Sequence, residues 1–141
     1  INTWDVKILA TDISTTILEK ARKATYDEKR IQPVPAKLKS QYLFKKKVDS
    51  ITMYQPADIV KNMVIFRYLN LMEPWPLKGP IDFIFCRNVM IYFDKPTQEK
   101  LVNRFHELLD KDGVLFTGHS ESLTGIRHGF AYVQPTIYRK P

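Results

Sequence analysis

Residues 81–93, IDFIFCRNVMIYF, decide the fold of this sequence. The first six are almost continuously apolar, a pattern typical of a strand covered on both faces in a parallel sheet. Arg87 and Asn88 follow this strand immediately, where packing offers no reason for two hydrogen-bonding side chains. Tyr92 and Phe93 then add an aromatic pair. The segment therefore predicts a central β-strand that leads into a functional loop.

Strands and helices alternate on both sides of that segment. The predicted strands cover residues 4–10, 63–69, 81–86, 114–117, 130–133 and 136–138. The first predicted helix begins after Ser14, a good N-cap residue. Two further helices are predicted over residues 36–42 and 97–109. This alternation predicts an α/β domain with a largely parallel sheet and an antiparallel strand pair at its end.

The region between the first helix and the central strands has a different composition. Residues 37–47, KLKSQYLFKKK, are rich in lysine, and residues 48–55, VDSITMYQ, predict a strand of a small antiparallel excursion. We interpret the basic block as a solvated helix face followed by a charged edge strand. Nucleic acid, anionic lipid and an acidic protein surface are the partners that such a block would fit. No nucleic-acid-binding motif is present, so we expect no nucleic acid as partner.

Length and composition predict one globular domain. The chain has 141 residues, 44% of them hydrophobic, and a net charge of +7. Its apolar runs are too short to cross a bilayer, and no secretory leader is recognisable. Cys86 is the only cysteine, which suits a reducing compartment and predicts a small buried residue instead of a nucleophile. We therefore expect a cytoplasmic protein without membrane insertion.

Polar residues end several of the predicted strands. Right-handed crossovers would place Asp12, Asn70 and Asn88 along the carboxyl edge of the sheet, where α/β folds bind ligands. Asp12 fits an acceptor for ribose hydroxyls and equally a turn or capping carboxylate. The Asn70 amide and the Leu71 backbone suit the edge of an adenine, or simply a turn after the strand.

The sequence GHSES at residues 118–122 invites comparison with a serine hydrolase. Adjacent His119 and Ser120 rarely point at each other, so a catalytic triad from this segment has poor geometry. Ser122 also stands where the nucleophile-elbow pattern requires glycine. We therefore reject hydrolysis, and no residues have the spacing of metal ligands.

Four segments together resemble the catalytic domain of the chemotaxis receptor methyltransferase (CheR) family. They are ILATDIS at 8–14, FRYLNL at 66–71, FIFCRNVMIYF at 83–93 and VLFTGHSESL at 114–123. The resemblance implies a Rossmann-like class I methyltransferase sheet over residues 1–141, truncated at its N-terminus, with a small β-subdomain inserted at about 41–62. It implies S-adenosyl-L-methionine as cofactor and S-adenosyl-L-homocysteine as product. The implied reaction is methyl transfer to glutamate side chains on acidic cytoplasmic helices of chemotaxis receptors.

The same resemblance carries roles onto particular residues. The implied cofactor-binding residues are Asp12 at the ribose, Asn70 and Leu71 at the adenine, and Arg87 and Asn88 in the pocket. The implied catalytic residues are Tyr92, close to the transferred methyl, and Arg87. A glutamate with a pKa of about 4.3 is already an anion near neutral pH. The implied reaction therefore needs alignment of the acceptor and no general base.

The resemblance leaves alternatives open. Gly79 is the first glycine, so the glycine-containing turn and the N-terminal helical domain of the family are not found in this sequence. We expect little methyl transfer from the chain alone. We favour a fragment of an active enzyme. The alternatives are a degenerate domain that binds a cofactor or a partner, and a methyltransferase with another acceptor, such as RNA. Some family members capture a receptor's C-terminal peptide on the β-subdomain, but the turn within residues 45–55 lacks glycine here.

Overall fold

A computed structural model of the protein describes residues 5–48 and 50–141. The chain divides into two compact units between Asn70 and Leu71. Trp4, in the first predicted strand, and Asp49, in the strand predicted over 48–55, lie outside the described residues. Within the described part no helix is long and apolar enough to cross a membrane.

The first unit combines a parallel strand pair with a hairpin and short helices. Its elements in chain order are β1 (Ile8–Asp12), α1 (Thr15–Lys23), α2 (Glu28–Ile31), α3 (Ala36–Tyr42), β2 (Leu43–Val48), β3 (Ile51–Pro56), α4 (Asp58–Lys61) and β4 (Val64–Tyr68). β1 pairs with β4 in parallel, so that Asp12 lies opposite Tyr68 at the carboxyl end. Ser14 caps α1 as predicted, because its hydroxyl accepts a hydrogen bond from the Ile17 amide at 3.3 Å.

The basic block differs in part from the prediction. The charged edge strand expected after the helix at 36–42 is confirmed as β2, which pairs antiparallel with β3. The small antiparallel excursion predicted with residues 48–55 is confirmed by this pairing. The predicted start of its strand is wrong, because β2 ends at Val48 and β3 begins only at Ile51. Ser50 has a φ of 67°, the left-handed conformation of a tight turn, which the absence of glycine concealed. The assignment of residues 41–62 to an inserted subdomain stays a prediction.

The second unit is a four-stranded mixed sheet with one long helix. Its elements are β5 (Ile81–Cys86), a 3₁₀ turn (Met90–Tyr92), α5 (Lys95–Leu108), β6 (Leu109–Thr117), β7 (Ala131–Gln134) and β8 (Ile137–Arg139). The strand order is β5-β6-β8-β7, with β5 and β6 parallel and the other pairs antiparallel. The mixed α/β class and the terminal antiparallel pair are therefore confirmed.

The core of the second unit lies between α5 and one face of this sheet. Leu101, Val102 and Phe105 of α5 are almost fully buried and belong to one apolar cluster with Leu109 and Leu115 of β6. Burying one such side chain contributes roughly 1.5–3 kcal/mol. This helix-on-sheet packing fixes the start of the loops that follow β5 and β6.

The other face of β5 departs from the prediction that both faces are covered. Phe83 and Phe85 are 60% and 70% exposed, while Cys86 is buried. Side chains alternate along a strand, and the core cluster of this unit takes up only the alternate side chains Ile84 and Cys86. On the open face, Phe85 stacks on Phe116 with 4.5 Å between ring centroids.

Candidate cofactor site

In the first unit, Asp12 stands at the carboxyl end of the parallel pair. Its Oδ1 accepts a hydrogen bond from the Ser14 amide at 2.7 Å, which is the turn role that the sequence left open. In the described part of the chain, the second oxygen, Oδ2, accepts none. The Asp12 side chain is half-buried. One carboxylate oxygen thus serves the fold, and the other accepts no hydrogen bond from the described residues.

Asn70 lies at the same end of the same strand pair. Leu69 donates its amide to the Asp12 carbonyl at 3.2 Å, directly after β4 ends at Tyr68. Because β1 and β4 are parallel, the residues that follow both strands leave the pair on one side. The structure thus brings Asp12 and Asn70 to one edge, as the sequence predicted.

In the second unit, two loops leave the carboxyl edge of β5 and β6. These strands are parallel, with Cys86 opposite Thr117, so Arg87 and Asn88 emerge beside Gly118 and its neighbours. Asn88 has a φ of 59°. Asparagine tolerates this left-handed conformation better than most residues, so the backbone gives a structural reason for Asn88. The sequence showed no packing reason for Asn88, and the reason that the structure adds lies in the backbone conformation.

A buried carboxylate that the sequence did not single out holds these two loops together. Glu121 is only 4% exposed. Its Oε2 accepts the amides of Asn88 at 2.7 Å and Gly118 at 2.6 Å, and its Oε1 accepts those of Val89 and Met90, both at 2.7 Å. Both oxygens are thus bonded to two backbone donors each. Glu121 is a positioning residue for the loop that carries Arg87 and Asn88.

The surroundings of Glu121 act on its charge in opposite directions. Burial raises the pKa of its carboxyl, whereas the hydrogen bonds from Asn88, Gly118, Val89 and Met90 lower it. The hydrogen bonds outweigh burial, so the pKa lies below the usual range of a glutamate. Glu121 is therefore a carboxylate near neutral pH and acts as an acceptor.

Gly118 is required where the two loops approach each other. A Cβ at this position would lie 2.5 Å from Oε2 of Glu121 and 2.8 Å from Oδ1 of Asn88. Any larger residue would push the carboxylate or the asparagine side chain aside. The glycine of the GHSES segment thus has a packing role beside Glu121.

The remaining predicted residues of the second unit lie on the surface of these loops. Tyr92 is 80% exposed, and Arg87, His119 and Ser120 are also exposed. Gln98 of α5 fixes the backbone of the 3₁₀ turn, because its side-chain amide donates to the carbonyls of Met90 and Phe93, both at 2.9 Å. Tyr92 is therefore an open side chain on a firmly held turn.

Cys86 is buried, as predicted. Burial, and then the nearby Glu121 charge, raise the pKa of the thiol to about 12. The thiol stays protonated at neutral pH and cannot serve as a nucleophile. Among the described residues, no group of three or more histidine, cysteine, aspartate or glutamate side chains could hold a metal ion.

Arg104 of α5 fixes the segment that begins at Leu71. Its guanidinium donates to the Leu71 carbonyl at 2.7 Å and to the Glu73 carbonyl at 2.6 Å, and it lies 3.7 Å from the ring centroid of Trp75. The Trp75 indole donates to the same Leu71 carbonyl at 3.2 Å. The Leu71 carbonyl is thus occupied.

Comparison with known proteins places the chain in a family. Residues 1–139 match the family model described as CheR methyltransferase, SAM binding domain. A "Probable chemotaxis protein methyltransferase" of Rhizobium etli is 44% identical over 137 residues, which cover 96% of this chain and 51% of the relative. A "Chemotaxis protein methyltransferase" of Borreliella burgdorferi is 46% identical over 138 residues, which cover 97% of this chain and 47% of the relative.

This chain therefore spans about half the length of those relatives. Among solved structures, PKMT2 from Rickettsia typhi in complex with AdoHcy is 20% identical, with a TM-score of 0.48 over 79% of this chain and 16% of that one. The family match extends over nearly the whole sequence. The chain belongs to the CheR methyltransferase family and corresponds to its S-adenosylmethionine-binding domain.

Proposed function

We propose that this chain supplies cofactor-binding and catalytic residues of a protein-glutamate O-methyltransferase that acts on chemotaxis receptors. The observation that carries the proposal is the family match over residues 1–139, which makes S-adenosylmethionine the cofactor. The loops after β5 and β6, tied together by Glu121, add a rigid support for the exposed Arg87 and Tyr92 side chains. The receptor acceptor is the part of the proposal that rests on the relatives' names.

The residues of the first unit suit the nucleoside part of the cofactor. Oδ2 of Asp12 has no partner in the described part of the chain and suits a ribose hydroxyl, while Oδ1 keeps the turn in place. Asn70, which leaves β4 at the same edge, would contact the adenine. Leu71 would do so through its side chain or its amide, because its carbonyl already accepts from Arg104 and Trp75.

The residues of the second unit suit the reacting groups. When bound, S-adenosylmethionine supplies a methyl group on a cationic sulfonium and leaves as S-adenosylhomocysteine. The exposed ring of Tyr92 would favour that cation, and Arg87 would hold the anionic glutamate of the acceptor. Asn88 would contact the cofactor from the turn that its own backbone forms. The protein thus aligns two groups and moves no proton.

The proposed partners are acidic cytoplasmic helices of chemotaxis receptors, which places the protein in the cytoplasm. The net charge of +7 suits an acidic partner. A receptor's C-terminal peptide would add to the hairpin as a further strand. Among the described residues β2 pairs with β3 alone, so its other edge offers unpaired backbone groups to such a peptide.

The test is an assay of tritiated methyl transfer with the full-length protein and receptor fragments. Glutamyl methyl esters release labelled methanol in mild base, and nucleic-acid products do not. Base-labile label on receptor is the expected result. Labelled product that disappears with ribonuclease treatment would identify RNA as the methyl acceptor. Cofactor binding without any transfer would support a binding module and contradict the enzyme.

A further inference from the structure

The β2–β3 hairpin has two unlike faces. On the inner face, Tyr54 is 9% exposed, exchanges two backbone hydrogen bonds with Tyr26, and donates its hydroxyl to the Glu28 carboxylate. This face is packed against the rest of the first unit. The hairpin is therefore held in place from one side.

The opposite face, which we call the outer face, carries Phe44, Lys46, Val48, Ile51, Met53 and Gln55. At the base of this face the Gln55 amide donates to Thr25 Oγ1 at 2.8 Å. Directly paired residues of an antiparallel ladder share a face, and Lys46 pairs with Met53 as Val48 pairs with Ile51. Phe44 is 61% exposed, Val48 39% and Ile51 62%. The outer face thus presents three large apolar side chains around a lysine.

The charge around the outer face has one sign. Residues 36–48 contain five lysines and no aspartate or glutamate. Among the residues that the structure describes, none of Lys45, Lys46 and Lys47 forms an ion pair. A face that combines exposed apolar groups with uncompensated positive charge fits an anionic partner that also accepts apolar side chains.

We propose that the outer face of the hairpin binds the surface of an anionic membrane. Phe44, Val48 and Ile51 enter the layer between headgroups and acyl chains, and Lys46 reaches the lipid phosphates on its flexible stem. Lys45 and Lys47 start on the other face of the same exposed strand, where they pair with Tyr54 and Thr52, and they add positive charge beside the lipid surface. The face is a flat strand ladder, which a fluid lipid surface can cover.

The first experiment is sedimentation of the full-length protein with vesicles of phosphatidylcholine alone or mixed with phosphatidylserine. We expect binding to the mixed vesicles only, and less of it as salt increases. Changing Lys45, Lys46 and Lys47 to glutamine should weaken the partition about a hundredfold, at roughly fivefold per lysine. The control changes exposed Lys20, Lys78 and Lys111 to glutamine, which alters the net charge equally.

A second pair of variants separates the apolar contribution. Phe44→Ser with Ile51→Ser should weaken binding even where salt has screened the charges. The matched control is Tyr132→Ser with Val133→Ser, two side chains of β7 that are 65% and 54% exposed. Equal losses in the two pairs would mean that the outer face has no special role, and the proposal would fail.

The position of the hairpin can be read from a fluorescent label. Ile51→Cys adds an exposed thiol for an environment-sensitive dye, while Cys86 of this chain is buried and its pKa is raised to about 12. A blue shift with phosphatidylserine vesicles, absent for a label at Val133→Cys, is the expected result. The proposal is overturned if neither label shifts. It is also overturned if the lysine variant loses binding to polyglutamate while the wild type ignores vesicles, since the partner is then an acidic protein.

Discussion

Two carboxylates, Asp12 at the end of β1 and Glu121 in the loop after β6, are used in opposite ways. Asp12 is half-buried and keeps one oxygen free in the described part of the chain, whereas Glu121 is 4% exposed and bonds four backbone amides. A carboxylate with an open oxygen can bind a ligand, and a saturated one can only hold the fold. Residue type at a strand end therefore does not distinguish a carboxylate that can bind a ligand from one that holds the fold. The number of hydrogen bonds that the carboxylate accepts does distinguish them.

The largest expected effect comes from removing the charge of Glu121. In Glu121→Gln an amide group replaces one oxygen and meets two backbone N–H donors, so the free energy of unfolding should fall by about 3 kcal/mol. Urea denaturation followed by circular dichroism measures this. Exposed Glu19→Gln is the matched control and should change stability little. If both variants unfold alike, Glu121 does not hold the loops.

Gly118→Ala tests the same contact between Glu121 and the two loops, this time by crowding it. The added methyl would lie 2.5 Å from Oε2 of Glu121, so we expect a loss of about 2 kcal/mol. Gly125→Ala is the comparison, since a Cβ there meets open space although φ is 81°. It should lose about 1 kcal/mol through backbone strain alone. If Gly118→Ala loses no more stability than Gly125→Ala, the two loops shift to relieve the crowding at Gly118.

Tyr92→Ala tests whether the 3₁₀ turn that Gln98 holds in place presents a functional side chain. Tyr92 is 80% exposed, so the free energy of unfolding should stay within about 0.5 kcal/mol of wild type. Turnover should fall roughly tenfold with little change in cofactor affinity, if the ring favours the cationic sulfonium. The control is Tyr132→Ala, at 65% exposure. A loss of affinity without a loss of turnover would remove Tyr92 from catalysis.

The smallest expected effect is on the pH dependence of stability. Because the pKa of Glu121 is lower in the folded state, its contribution is complete above its usual pKa of 4.5 and is lost as pH falls through the folded value. Wild type should therefore lose stability below about pH 4.5 more steeply than Glu121→Gln. Denaturation midpoints over that range measure the slopes. If stability falls equally steeply with pH in wild type and in Glu121→Gln, the pKa of Glu121 is the same in the folded and unfolded states.

The periodic elements could be predicted from the sequence, since local pattern fixes them. The helix at 36–42, the strand Ile81–Cys86 and the terminal strand pair agree with their predictions. The exact position of the hairpin turn within residues 45–55 could not be predicted, because Ser50 adopts a conformation for which glycine is the usual signal. The exposed face of β5 was also missed, because a continuous apolar run does not say how many of its faces are covered.

The candidate site could be predicted only in part. Asp12, Arg87 and Asn88 stood out as polar residues after apolar strands, and the resemblance gave them roles. Glu121 could not be found in this way, because three of its four partners are backbone amides 31 to 33 residues away and backbone groups leave no mark on a sequence. The one signal present was a glutamate three residues after Gly118, in a loop that ends a buried strand.

The most direct test of the central claim is calorimetric titration of the full-length protein with S-adenosylhomocysteine, wild type beside Asp12→Asn. Asparagine keeps an oxygen for the Ser14 amide, so the turn survives while the charged acceptor is lost. We predict binding by the wild type that is weakened at least tenfold in the variant, with unchanged stability. A folded protein that binds no cofactor, or binds it equally well with asparagine at residue 12, would contradict the assignment of this chain's cofactor site.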